Sequence, residues 1–309
     1  MAAVVVDGLV KAYGKGGAPA LADVSFAVEP GELFGVIGPD GAGKTTLFRI
    51  LTTLLLADRG TATVLGHDVV RDFRQIRRLV GYMPGRFSLY QDLSVAENLA
   101  FFATVFGTTV AANYHLIADI YTQLEPFKAR PAGKLSGGMK QKLALCCALI
   151  HAPRVLFLDE PTTGVDPVSR KEFWEMLGRL RAAGIAILVS TPYMDEAARC
   201  DRIALLQHGR VIAMDTLPAL LAGHATATFA VAGGKPYQIL KDLRAYPGTR
   251  YCSAFGQDSH LVLAADDAGG PAAALAYLRE RGHPGATIRP VAPTIEDVFI
   301  DLTHAGAHA

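Results

Sequence analysis

Cysteine is scarce in this 309-residue chain: Cys146, Cys147, Cys200 and Cys252 are the only four, and none stands in C-x-x-C spacing. Adjacent Cys146 and Cys147 are poor disulfide partners, so neither a disulfide scaffold nor a zinc cluster organises the fold, and a reducing compartment, the cytosol, is expected. An excess of charge of one sign is lacking too. Thirty Lys plus Arg stand against 29 Asp plus Glu, a formal net charge of +1, so no global positive field exists to hold a phosphate backbone and no nucleic-acid partner is expected. The N-terminus has no basic stretch and meets Asp7 early, unlike a secretory signal. Long apolar runs are missing with one exception. Asn98 to Ala118 carries no Asp, Glu, Lys or Arg, but Thr104, Gly107, Thr108, Thr109 and Asn113 interrupt it. The Gly-Thr-Thr run reads as a break between two shorter helices, not as the middle of a membrane span.

What is present is a large apolar content: 50% hydrophobic residues and 19% charged ones, enough to bury substantial cores. At roughly 100–200 residues per domain the length predicts two domains. Short apolar runs at Leu33 to Ile37, Val155 to Leu158, Ile185 to Val189, Ile203 to Leu206 and Val211 to Met214 alternate with helical patterns, which predicts an α/β fold on a buried, mostly parallel sheet. Val4 to Val6 and Val24 to Val28, separated by a Gly-rich turn at Gly14 to Gly17, predict a β layer ahead of it. From about 86 to 151 apolar residues recur at helical spacing, through Val95, Leu99, Phe102, Leu116, Ile117, Ile120 and Leu124, a helical insertion.

After about residue 220 the glycines at 233–234, 256, 269–270 and 285 punctuate short elements. We read a small α+β domain over 221–309: strand Thr226 to Val231, helix Pro236 to Ala245, strands Arg250 to Ala254 and His260 to Leu263, helix Pro271 to Arg281 and strand Ala286 to Pro290. That is a ferredoxin-like βαββαβ order. A last helix, Thr294 to Leu302, starts with an N-cap threonine and the acids Glu296 and Asp297.

Three segments carry chemistry. Gly38-Pro39-Asp40-Gly41-Ala42-Gly43-Lys44-Thr45-Thr46 fits G-x-x-x-x-G-K-[ST] between an apolar strand and a helix. In such a P-loop (Walker A) the glycines let backbone N–H groups converge on phosphate oxygens, Lys44 reaches the β- and γ-phosphates and the Thr45 hydroxyl serves Mg²⁺. Val155 to Leu158 ends in Asp159-Glu160, one acid to hold Mg²⁺ and one to polarise an attacking water. Between them Ser136 caps a helix that opens with Gly137 and Gly138; alone this is a capping turn, and it is equally a second anion site at a helix end. Of the nine histidines none pairs at zinc-like spacing on one helix face, and His304 and His308 sit in a small-residue tail, so no metal beyond nucleotide-bound Mg²⁺ is expected.

The P-loop, Leu135-Ser136-Gly137-Gly138-Met139, and Leu158-Asp159-Glu160-Pro161-Thr162-Thr163-Gly164-Val165-Asp166-Pro167, in this order, resemble the ATP-binding subunits of ABC (ATP-binding-cassette) transporters over residues 3 to about 220. The resemblance implies a P-loop NTPase (RecA-like) core in a domain over 1–220 and a head-to-tail dimer. Each ATP would lie between the P-loop of one subunit and Ser136, Gly137 and Gly138 of a second ATPase subunit, identical or not. It implies that Tyr13 faces the adenine, although Tyr13 can equally be a strand-end core residue. It also implies that Asp166 links the two sites, although the residue can also simply cap the helix at Pro167. The run from Arg86 to Leu99, expected to receive a short helix of a membrane permease, and the ending Pro293 to Phe299 look like those of drug and antibiotic exporters. The implied place is the cytoplasmic face of the cell membrane, held there by the permease.

Two positions depart from the family pattern. Gly85 stands where the family normally has Gln, and Pro192 where it normally has His, both γ-phosphate sensors. The resemblance therefore implies an ATP hydrolase of reduced rate with Glu160 as base. A regulator impaired in hydrolysis, or the silent half of a heterodimer, remains an alternative; a soluble ATPase of translation or repair is disfavoured, because neither a second cassette nor a coiled coil is present.

Overall fold

The computed structural model describes residues 1–306 apart from 15, 225 and 265, so His308 and part of the Gly14–Gly17 turn lie outside the described residues. The chain divides into two compact units between Leu217 and Pro218, within the first turn of the helix Leu217–Ala222 and slightly earlier than the boundary at 220 expected from composition.

The first unit runs β1 (Val4–Lys11), β2 (Leu21–Val28), β3 (Leu33–Ile37), α1 (Lys44–Leu51), β4 (Arg59–Val64), β5 (His67–Asp68), α2 (Phe73–Leu79) and β6 (Val80–Met83). It continues with α3 (Val95–Val105), α4 (Val110–Tyr121), α5 (Gly137–Leu149), β7 (Val155–Asp159), α6 (Pro167–Ala182), β8 (Ala186–Thr191), β9 (Arg202–Gln207) and β10 (Arg210–Asp215). Its central sheet has the order β10-β9-β3-β8-β7-β6, parallel except for β10 against β9. Every residue of β3, β7 and β8 is buried, as strands covered on both faces must be.

One face of that sheet packs on the antiparallel layer β2-β1-β4-β5, with Phe26 stacked on Phe34 at 5.2 Å, and on α1, with Phe48 edge-on to Phe157 at 5.9 Å. The other face packs on α3 to α6. The apolar run from 98 to 118 is broken between α3 and α4, each begun by a side-chain cap, Ser94 and Thr109. Among the described residues no helix is long and apolar enough to cross a membrane. Strands β4 to β6 and helix α2 carry no clear sequence pattern. Strand β6 is short and contains Gly81, where a Cβ would lie 2.4 Å from the Ala148 carbonyl oxygen of α5, so close packing removes the side chain that would mark a strand.

The second unit runs α7 (Leu217–Ala222), β11 (Thr228–Ala232), α8 (Pro236–Arg244), β12 (Thr249–Phe255), β13 (Asp258–Leu263), α9 (Gly270–Glu280), β14 (Thr287–Val291) and α10 (Ile295–Gly306). Its antiparallel sheet has the order β12-β13-β11-β14 and its own core around Val231, Ile239, Leu243, Leu261 and Leu278. Helix α10 extends past Leu302, where the sequence pattern ends it.

Candidate nucleotide site

The C-terminal ends of β3, β7 and β8 lie side by side, and the loops that leave them converge. Residues 38–43 bridge β3 to α1. Two of the glycines are dictated by contact: a Cβ at Gly38 would lie 2.1 Å from the Leu206 carbonyl oxygen, and one at Gly43 would lie 2.3 Å from that of Ala20. Gly43 also has φ +110, in the region that favours glycine. Helix α1 starts there with no side-chain cap and no acid in its first turn, so its leading N–H groups are left for an anion.

Lys44 is buried, and its Nζ donates to the carbonyls of Gly38 (2.8 Å) and Pro39 (3.0 Å) while lying 3.2 Å from Oε1 of Glu160. Tyr13, Gly41, Gly43, Lys44, Thr45 and Glu160 line a cavity of about 260 Å³. Tyr13 is 55% exposed, with its hydroxyl 3.2 Å from Oγ1 of Thr46, and is not part of the core. Asp159, the last residue of β7, is buried and accepts from Ser190 Oγ at 2.5 Å. Glu160 follows at φ +50, a strained backbone for a non-glycine residue, with its N–H donating to the carbonyl and the hydroxyl of Ser190, both at 3.0 Å.

The other candidate residues lie near this centre or apart from it. Gly85 abuts Asp159: a Cβ there would stand 3.1 Å from the Asp159 carbonyl oxygen and 3.7 Å from Oδ2. Pro192 follows β8. Ser136, exposed, caps α5 by accepting from Met139 N at 3.3 Å, and Gly138 is required because its Cβ would meet Ser169 Oγ at 2.7 Å. Ser136, Gly137 and Gly138 do not line the cavity that holds Lys44. Asp166 caps α6, accepting from Val168 N (3.1 Å) and Ser169 N (3.0 Å); the hydrogen bond from the Ser169 backbone, above all, holds its carboxyl below the usual carboxylate value.

Two residues beside the site give no motif of their own. Ser190 joins both acids, and buried Glu196 accepts from Thr162 Oγ1 (2.7 Å), Thr191 Oγ1 (2.5 Å) and Trp174 Nε1 (2.9 Å), tying the loop that leads to Asp166 to the end of β8. Most of their partners come from distant segments, and the sequence signal is the run Val189 to Ala197 around Pro192, which is otherwise intact but names no role for either residue. Elsewhere in the unit a groove of about 430 Å³, largely apolar, is lined by Leu54, Met83, Leu89, Phe102, Phe106 and His151 among others.

With this geometry in hand, the chain can be set beside known proteins. A sequence profile described as "ABC transporter" matches residues 21–163. The probable multidrug ABC transporter ATP-binding protein YbhF of Escherichia coli (strain K12) is 38% identical over 97% of this chain, which spans about half of YbhF (52%). The Nod factor export ATP-binding protein I of Rhizobium sp. (strain N33) is 36% identical over 91% of this chain and 90% of its own length. A solved structure of an ATP binding subunit of an ABC transporter superposes with a TM-score of 0.65 at 30% identity, over 71% of this chain and 92% of that one. The fold is therefore that of a P-loop NTPase, and the chain belongs to the ABC transporter ATP-binding family.

Proposed function

We propose that the chain is an ATP-hydrolysing subunit that closes as a dimer on two nucleotides and drives a separate membrane permease, an exporter of drug-like or hydrophobic compounds. The observation that carries this reading is the convergence of Lys44, Thr45, Asp159 and Glu160 where three parallel strands end. Phosphates sit on the uncapped start of α1, with Lys44 turning from the loop carbonyls to the β- and γ-phosphates and Tyr13 against the base.

Thr45, which lines the cavity, and Asp159, buried next to the lining Glu160, supply hard oxygen donors, a set that suits Mg²⁺, which when bound neutralises charge on the phosphates. Glu160 accepts the proton of a water as it attacks the γ-phosphorus; the bond to the β-phosphate oxygen breaks, and the charge that collects on that oxygen lies near Lys44. Ser136 and Gly137, both exposed, complete the partner's site together with Gly138, Asp166 passes closure between the sites, and the apolar groove receives a short helix of the permease. The permease then holds the subunit at the inner face of the cell membrane. The Nod factor export protein is named for export, which supports the direction, and YbhF is named for a multidrug transporter.

Gly85 and Pro192 favour a second reading, a nucleotide-binding regulator or the silent half of a heterodimer, since neither offers a polar side chain to the γ-phosphate. Steady-state phosphate release with MgATP over a range of protein concentration separates the two. Turnover that rises faster than linearly with protein and falls by at least about a hundredfold in Glu160→Gln is expected; binding of ATP with no turnover in either protein would select the second reading.

A further inference from the structure

Strand β8 ends in two hydroxyls that serve different neighbours. Thr191 Oγ1 donates to Glu196, whereas Ser190 Oγ, wholly buried, donates to Oδ1 of Asp159 and accepts from the N–H of Glu160. The first of these is the one side-chain hydrogen bond to Asp159 among the described residues. The strand end is itself anchored to the P-loop, because Gly38 N donates to the Thr191 carbonyl at 3.2 Å. On the other side of Asp159 stands Gly85, with no side chain to offer Oδ2.

A carboxylate on a strand end rotates about its last torsion unless a partner fixes it, and the backbone at Glu160 holds a conformation that costs energy unless its surroundings impose it. One buried hydroxyl serves both here, sharing the Glu160 N–H with the Ser190 carbonyl. We propose that Ser190 is a positioning residue of the nucleotide site: by engaging Oδ1 it presents Oδ2 of Asp159 to the nucleotide-bound Mg²⁺, and by engaging the Glu160 N–H it sets the base beside Lys44. With glycine at position 85, the orientation of Asp159 rests on Ser190. The inference depends on the reading of Asp159 as a metal-holding residue. Removing such an outer partner lowers metal affinity by about 10–100-fold in metalloproteins generally.

The test is a titration of a fluorescent ATP analogue onto the full chain, in EDTA and then with increasing Mg²⁺. In Ser190→Ala the Mg²⁺ concentration at half-maximal tightening is expected to rise about tenfold, with affinity in EDTA unchanged, and Ser190→Thr, which keeps the hydroxyl, is expected to recover the wild-type midpoint. Ser190→Cys fills the same space with a far weaker donor and reports the same shift if the alanine variant does not fold. Thr191→Val, a lesion of the same strand end directed at Glu196, is expected to leave the midpoint where it was. An unchanged midpoint in Ser190→Ala, or an equal loss of affinity with and without Mg²⁺, overturns the proposal. Asp159→Asn keeps the two readings apart: no Mg²⁺ effect there overturns the assignment of Asp159, whereas an effect there with none in Ser190→Ala overturns only the role of Ser190.

Discussion

Asp159 and Glu196 of the first unit are held by other means than the acids of the second. In residues 1–217 Asp159 takes a serine hydroxyl, and Glu196 takes two threonine hydroxyls and an indole N–H, with the Arg170 guanidinium no closer than 3.7 Å. In the second unit His260 Nδ1 lies 3.0 Å from both oxygens of Asp297, His283 Nε2 lies 2.8 Å from Asp242, and Asp301 lies 2.6 Å from Arg250 and 3.5 Å from His224. Neutral donors satisfy lone pairs without cancelling the charge, which keeps a carboxylate available to a cation that arrives with a ligand. Arginine and imidazole partners instead tie the carboxylates to neighbouring elements of the fold. The first arrangement belongs to a site and the second to packing.

The strongest way to break that contrast is His260→Leu. Asp297 would keep only the N–H and hydroxyl of Thr294, each at 2.8 Å, and a buried carboxylate would lose its only imidazole partner. We expect a loss of about 3 kcal/mol, confined to the second unit and seen by calorimetry of the full chain, with KM for MgATP and turnover unchanged. Adding Asp297→Asn should return part of that loss, since the stranded charge is then gone; no loss in the single variant would mean that Thr294 alone satisfies the acid.

Gly85→Gln sharpens the other side of the contrast by giving Asp159 a second polar neighbour. The new Cβ comes within 3.1 Å of the Asp159 carbonyl oxygen, so the loop must yield by a few tenths of an ångström, and the backbone at 85 lies outside the positive-φ region that would bar a side chain. Turnover is expected to rise about a hundredfold, the low end for one polar donor in a catalytic site, read as phosphate release at saturating MgATP. An unchanged rate would mean that Ser190 already holds Asp159 in its working orientation.

Much of the fold is legible in sequence because burial leaves a pattern. The all-apolar strands β3, β7 and β8 announce a covered parallel sheet, and Gly38 and Gly43 are fixed by backbone atoms that leave no room for a Cβ. Strand β6 is not legible, because Gly81 gives up its side chain to α5. Within the site, Lys44, Thr45, Asp159 and Glu160 are read from motifs that are local in sequence. Ser190 and Glu196 are not, because each draws its meaning from partners on other elements: Ser190 from the end of β7, Glu196 from Thr162, Trp174 and Thr191. A hydroxyl after an apolar strand looks the same whether it caps a turn or steers a carboxylate.

His151 puts the contrast to its smallest test, because it is a largely buried imidazole in the first unit with no acid beside it. Its Nε2 lies 2.9 Å from the Val80 carbonyl oxygen and its ring stacks on Phe106 at 3.8 Å, while Nδ1 has no partner, so burial pushes its pKa below the ordinary 6.5. Of the other titratable groups in the same groove, Tyr82 is pushed up to about 12 by burial and then by the Asp159 charge, and burial also raises Cys147. His151 is therefore the group there that changes charge near neutrality. Because its folded value is the lower one, the unfolded chain takes up the proton first on acidification. Stability from this group is complete above about pH 6.5 and falls as pH drops from there toward the folded value. His151→Phe, which keeps the stack on Phe106, should lose this slope: the variant gains on the wild type by a few tenths of a kcal/mol per pH unit between pH 6.5 and 5.5, measured as the difference in Tm of the first unit. A gap that stays constant with pH would show that the imidazole finds a proton acceptor in the groove and that the first unit, like the second, answers its histidine with charge.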